Sequence, residues 1–137
     1  MNILVLCTGN SCRSQMAEGF LRHYGFCVQS AGLEAHGMNK HVIRVMSEVG
    51  IDISTQYSKK IDEINLKKID ILITVCDSAK ESCPHILGLT NVLHKSFQDP
   101  TNHQITNPET LFMYRKVRDE IKNYIFNLIQ NKIIVNE

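Results

Sequence analysis

Apolar positions fall into short, near-continuous runs and longer stretches with helical spacing. Ile3-Leu4-Val5-Leu6 is the first run, and residues 2–7 are predicted to form a buried strand. A helix follows over residues 14–24, with Met16, Ala17, Phe20, Leu21 and Tyr24 on one face and Gly25 as its stop. Phe26 to Ala31 reads as a second short strand. The next helical stretch, Asn39 to Val49, turns Val42, Ile43, Val45, Met46 and Val49 inward and ends at Gly50. Ile61 to Lys68 is expected to form a short third helix. The strongest strand is Ile69-Asp70-Ile71-Leu72-Ile73-Thr74-Val75, whose near-continuous β-branched and Leu content suits a strand covered on both faces. Asn91 to His94 reads as a fourth strand. Asn107-Pro108-Glu109 has an Asn cap and Pro at the first helical position. Leu111, Tyr114, Val117, Ile121, Ile125 and Leu128 then mark a long terminal helix.

Strands that alternate with helices imply an α/β fold: a single domain over residues 1–137, with a four-stranded, mainly parallel sheet flanked by helices. Ligands of such sheets bind outside the carboxyl ends of the strands. Cys7 ends the first strand, Cys76 ends the strand at 69–75, and Asp99-Pro100 follows the strand at 91–94. These three features, far apart in sequence, are expected on one rim.

Composition narrows the function classes. A net charge of +1 offers no bulk attraction to nucleic acid or an anionic membrane. No stretch approaches the ~20 apolar residues of a membrane span. The N-terminal apolar run lacks a basic leader and the length of a signal peptide, so a cytoplasmic protein is expected. Five cysteines in that compartment are expected to be thiols rather than structural disulfides, and the odd count leaves at least one unpaired.

The loop between the first strand and first helix reads Cys7-Thr8-Gly9-Asn10-Ser11-Cys12-Arg13-Ser14. A strand, a tight loop with Gly9 at the turn and a helix N-terminus aim backbone N–H groups into one cup. Those dipoles and Arg13 favour the thiolate form of a cysteine at its rim. The cup suits a tetrahedral oxyanion, with Cys7 as nucleophile and Arg13 as a bidentate clamp. Ser14 is placed to donate to the thiolate or to cap the helix. Asp99 can protonate a departing oxygen from the rim, although Asp-Pro is also a common turn.

Cys76 and Cys83 open three readings: incidental thiols, zinc ligands or a redox pair. Six residues separate them, whereas paired zinc cysteines are usually about two to four residues apart, so no metal site is expected. A helix across 77–83 would hold their Cα atoms about 10 Å apart, at roughly 1.5 Å per residue. A disulfide needs roughly 4.4–6.8 Å, so bonding the pair would require that segment to unwind. The histidines, His23, His36, His41, His85, His94 and His103, show no metal spacing and are read as surface or partly packed. His36 is expected to fix a turn before Gly37.

The octapeptide at 7–14 resembles the phosphate loop of the low-molecular-weight protein tyrosine phosphatase fold, the phosphotyrosine phosphatase I-like class. Its continuation Gln15-Met16-Ala17-Glu18-Gly19 is more similar to the thioredoxin-coupled arsenate reductases that share the fold. So are Ser30-Ala31-Gly32, His36-Gly37, Val75-Cys76, Cys83-Pro84, Asp99-Pro100 and Val117-Arg118-Asp119-Glu120-Ile121, a similarity that spans nearly the whole chain. The resemblance implies an oxyanion site at Thr8, Gly9, Asn10, Ser11, Cys12, Arg13 and Ser14. It implies that Cys7 attacks arsenate with Asp99 as acid, that a Cys7–Cys76 disulfide forms as arsenite leaves, and that a Cys76–Cys83 disulfide is then reduced by thioredoxin. Cys12 and Cys27 stand outside that relay. Some relatives hold a monovalent cation with an Asn, a Glu, a Ser and a further acidic residue. Asn10, Glu18 and Ser30 match, but Lys59 stands at the acidic position, so no cofactor and no potassium requirement are expected. A monomer is expected, with no nucleic acid or membrane partner. Two other readings remain open: a phosphatase of the same fold, which would need neither Cys76 nor Cys83, and a non-catalytic oxyanion or thiol sensor. Phosphatases of this fold tend to carry aromatic residues after the Asp-Pro, where Thr101 and Asn102 stand here.

Overall fold

The computed structural model describes residues 1–77, 79, 91–102 and 108–136. Cys83, Pro84, Gly88, His85, His103 and the expected cap Asn107 lie outside the described residues.

The first apolar run forms β1 (Asn2–Cys7), buried from Ile3 onward. Helix α1 (Arg13–His23) buries Met16, Ala17, Phe20 and Leu21, as its spacing requires. It stops at Gly25, whose φ of 92° lies in the left-handed region that glycine enters freely. β2 (Cys27–Gly32) follows. Helix α2 (Lys40–Ser47) starts where the Asn39 side-chain oxygen accepts from His41 N–H at 2.8 Å.

The single helix expected over 61–68 is instead two 3-10 turns, Ile61–Glu63 and Leu66–Lys68. Asn65 divides them, because its side chain caps the second turn by accepting from Lys67 N–H at 3.2 Å. β3 (Ile71–Thr74) is shorter than the 69–75 run, since Ile69 N–H closes the preceding turn on the Leu66 carbonyl at 3.2 Å. β4 (Val92–His94) is partly exposed at the sheet edge. The terminal helix α3 spans Pro108–Gln130 and buries Tyr114, Val117, Ile121, Ile125 and Leu128.

The four strands form one parallel sheet in the order β2-β1-β3-β4. β1 and β3 are its central strands and are buried on both faces, which explains their unbroken apolar character. Helix α3 packs on α1 and α2, and α1 packs on β1 and β2. The chain runs from β1 to β2 on one side and returns to β3 on the other. The topological switch therefore lies between the carboxyl ends of β1 and β3. No helix among the described residues is long and apolar enough to cross a membrane.

Candidate oxyanion site

The loop after β1 is built around Asn10, which is fully buried with φ 50°. The Lys59 backbone N–H can only donate, and it meets Asn10 Oδ1 at 2.9 Å, which fixes the amide orientation. The same oxygen accepts from Gln15 Nε2 at 3.0 Å. On the other side, Asn10 Nδ2 donates to Ser14 Oγ at 2.8 Å and to Ser30 Oγ at 2.9 Å. Every polar position of the amide is used.

That network sets the direction of the bonds beyond it. Ser14 Oγ already accepts from Asn10, so its own hydrogen is free to point at Cys7 Sγ, 2.8 Å away. Ser30 repeats the logic, accepting from Asn10 and donating to Glu18 Oε1 at 2.7 Å. The sequence allowed Ser14 to act as a cap, but no side chain caps the start of α1. The first N–H groups of α1 are thus left free for an anion.

The left-handed residue of the loop is Asn10, not Gly9. Gly9 is required for another reason: a Cβ there would collide with the His36 ring. His36 is pinned over the loop by its N–H bond to the Gly9 carbonyl at 2.9 Å and pairs with Glu34 at 2.6 Å. His36 therefore closes over the loop at Gly9.

A pocket of about 90 Å³ opens at this loop. The loop residues from Cys7 to Arg13 other than Asn10 line it, together with His36, Asp99 and Thr101. Arg13 Nη1 donates to the Phe97 carbonyl at 3.0 Å, and Nη2 lies 3.7 Å from Asp99 Oδ2. Asp99 also makes the turn its Asp-Pro sequence suggests, since Oδ1 accepts from Thr101 N–H at 2.9 Å and from the Thr101 hydroxyl at 2.6 Å. Asp99 thus makes a turn and also lines the pocket. His36, expected only to fix a turn, and Thr101 also line the pocket, a role the sequence did not assign to either.

Cys76 comes to the same rim. Its buried Sγ lies 3.3 Å from Thr8 Oγ1, next in sequence to Cys7. Cys83, the third thiol, is outside the described residues. Cys12 is buried, and burial pushes its thiol up to about 11, so it stays protonated at neutral pH. Asn39 Nδ2 donates to its sulfur at 3.5 Å and to Tyr114 Oη at 3.0 Å, which ties the loop to the start of α2. Cys27 is exposed on β2.

Asn10, Ser30 and Glu18 meet in one buried chain of hydrogen bonds. Arg22 Nη2 also reaches Glu18 at 2.8 Å. Lys59 is buried, with Nζ 4.3 Å from the Tyr57 ring centroid. Burial lowers its pKa, and the Glu18 charge acts in the opposite sense.

Residues 2–134 match the profile of the low molecular weight phosphotyrosine protein phosphatases. The chain belongs to this family. Within the phosphatase family, it is 46% identical over 122 residues to an arsenate reductase of Halalkalibacterium halodurans, covering 87% of this chain and 88% of that one. It is also 46% identical over 124 residues to an arsenate reductase of Bacillus subtilis, covering 88% and 89%. Among solved family structures, an arsenate reductase in the phosphate-binding state superposes with TM-score 0.81 at 34% identity, covering 95% of this chain and 97% of that one. A low molecular weight protein tyrosine phosphatase from T. tengcongensis gives 0.80 at 28% identity, covering 96% and 99%.

Proposed function

We propose that this chain reduces arsenate to arsenite through Cys7, Cys76 and Cys83, with thioredoxin as the reductant. The observation that carries the reading is the buried Cys76 thiol held against Thr8 at the rim of the oxyanion loop. A phosphatase of this fold needs Cys7, Arg13 and Asp99 but no second thiol there. The arsenate reductases at 46% identity support the same choice.

Arsenate binds with its oxygens on the free N–H groups of residues 8–14 and on the Arg13 guanidinium. Cys7 thiolate, held by the Ser14 hydroxyl, forms a bond to arsenic. One arsenate oxygen leaves as water after Asp99 supplies a proton. Cys76 thiolate then attacks the Cys7 sulfur. The S–S bond forms as the S–As bond breaks, its electron pair stays on arsenic, and As(V) becomes As(III). The two thiols lose two electrons and arsenite departs. Cys83 attacks Cys76 and frees Cys7, and the Cys76–Cys83 disulfide takes two electrons from the thioredoxin dithiol. Weak hydrolysis of phosphate esters is the expected side reaction, because phosphate has the same shape and charge. The enzyme acts as a monomer in the cytoplasm and needs no metal.

The reading is tested by multiple turnover with arsenate, with and without thioredoxin. Cys76→Ser and Cys83→Ser are each expected to lower arsenite release under multiple turnover by on the order of a thousandfold. Both should keep p-nitrophenyl phosphate hydrolysis. Arsenate turnover at the wild-type rate in both variants would instead support the phosphatase reading or a different reductant.

A further inference from the structure

β3 ends at Thr74, and the chain leaves the sheet through Val75, Cys76 and Asp77. Val75 is fixed on both sides: its N–H donates to the Leu6 carbonyl, and its own carbonyl accepts from Phe97 N–H, each at 3.1 Å. Asp77, just beyond the redox cysteine, is tied to the end of β4. Its Oδ1 lies 3.3 Å from His94 Nε2. The other ring nitrogen, Nδ1, lies 2.7 Å from Thr74 Oγ1. One imidazole therefore spans the chain from the residue two before Cys76 to the residue after it.

The bridge survives a change of protonation. A carboxylate only accepts, so the 3.3 Å contact to Asp77 is favourable when Nε2 carries a hydrogen. In the neutral ring, Nδ1 accepts from the Thr74 hydroxyl. In the imidazolium, Nδ1–H donates to Thr74, whose hydroxyl turns to the Leu93 carbonyl 3.4 Å away. The ring is largely packed, with 20% of its side chain exposed, whereas 76% of the Asp77 side chain is exposed. The anchored end is thus firm and the released end is weak.

We propose that His94 is a positioning residue for Cys76: by bridging Thr74 and Asp77 it keeps the Cys76 sulfur against the Thr8 hydroxyl, beside the Cys7 loop. The proposal rests on the relay reading, in which Cys76 must reach the Cys7 sulfur and then pair with Cys83. His94 touches neither substrate nor the reacting sulfurs in that scheme. A solvent-facing contact to Asp77 is enough to hold this geometry and weak enough to break.

The test measures steady-state arsenate reduction by the full chain with thioredoxin. Cys76→Ser is the reference, and Asp77→Ala, Asp77→Asn and His94→Ala are the variants. Asp77→Ala is expected to lower kcat by about two- to fivefold, the range of an exposed ion pair. The KM for arsenate and the inhibition constant of inorganic phosphate should not move. Asp77→Asn, whose amide oxygen still accepts from Nε2–H, should recover most of the loss. His94→Ala should lower kcat at least as far as Asp77→Ala. An unchanged kcat in Asp77→Ala, an equal loss in Asp77→Asn, or a parallel weakening of phosphate binding would each overturn the positioning role. Retention of arsenate turnover in Cys76→Ser would sink the relay reading itself, a separate outcome.

Discussion

Ser14 shows how one hydroxyl gains a fixed direction from its neighbour. Asn10 Nδ2 occupies the Ser14 oxygen as a donor, so the Ser14 hydrogen is left for Cys7 Sγ at 2.8 Å. Hydrogen bonds to charged groups contribute about 1.5–3 kcal/mol. Ser14→Ala is therefore expected to slow alkylation of Cys7 by iodoacetamide at neutral pH by about tenfold. Asn10 keeps Ser30 as an acceptor in that variant, so the loop should hold its shape. Alkylation at the wild-type rate would mean that the hydroxyl does not act on the sulfur. Much of this site was legible in the sequence, because Cys7, Arg13 and Ser14 lie in one octapeptide whose strand and helix flanks are themselves readable. The contacts of His36 and His94 were not. His36 acts on Gly9 and His94 on Asp77, across sequence gaps that no local pattern marks.

At the scale of elements, one carboxylate gathers two arginines at the junction of α2 and α3. Glu48, at the end of α2, receives Arg115 through two bonds of 2.9 and 2.7 Å and Arg118 through a third of 3.0 Å. Arg118 is itself buried and donates to the Val45 carbonyl at 2.9 Å. The Arg115 hydrogen bonds, with its charge and that of Arg118, hold the Glu48 carboxyl down at about 2. Its folded value is below the unfolded one. The stabilisation is therefore present above the ordinary glutamate range and is lost as pH falls toward 2. Glu48→Gln should lower the melting temperature at pH 7, and the gap to the wild type should close between about pH 4.5 and pH 2. A gap that stays constant over that window would show that the pair does not stabilise the junction. No pattern in the chain marks it, since period and capping report where α2 and α3 lie but not which of their charges meet. The same limit applied to residues 61–68, where apolar spacing suggested one helix and the Asn65 side chain divided it into two turns.

Over the whole molecule, the strand order β2-β1-β3-β4 brings β2, the Cys7 loop and the strap at Lys59 to one corner. Gly32 at the end of β2 donates to the Lys59 carbonyl at 2.9 Å, and Lys59 N–H donates to Asn10. Asn10, Ser30 and Glu18 thus converge from the loop, β2 and α1, with a buried lysine beside them. A carboxylate in such a corner needs a counter-charge, because an unpaired buried charge is costly. Arg22 supplies one from the outer side and the Lys59 ammonium a second, with the Glu18 charge favouring its protonated form. Lys59 and Glu18 line one pocket, so a potassium ion bound at Glu18 would meet the field of the lysine ammonium. We therefore expect equal melting temperature and equal arsenate turnover in potassium and sodium chloride at matched ionic strength. Lys59→Ala removes the ammonium while leaving the backbone N–H that holds Asn10. In that variant potassium should raise the melting temperature above its value in sodium. A potassium-specific gain in the wild type, or none in Lys59→Ala, would mean that the lysine does not stand in for the ion.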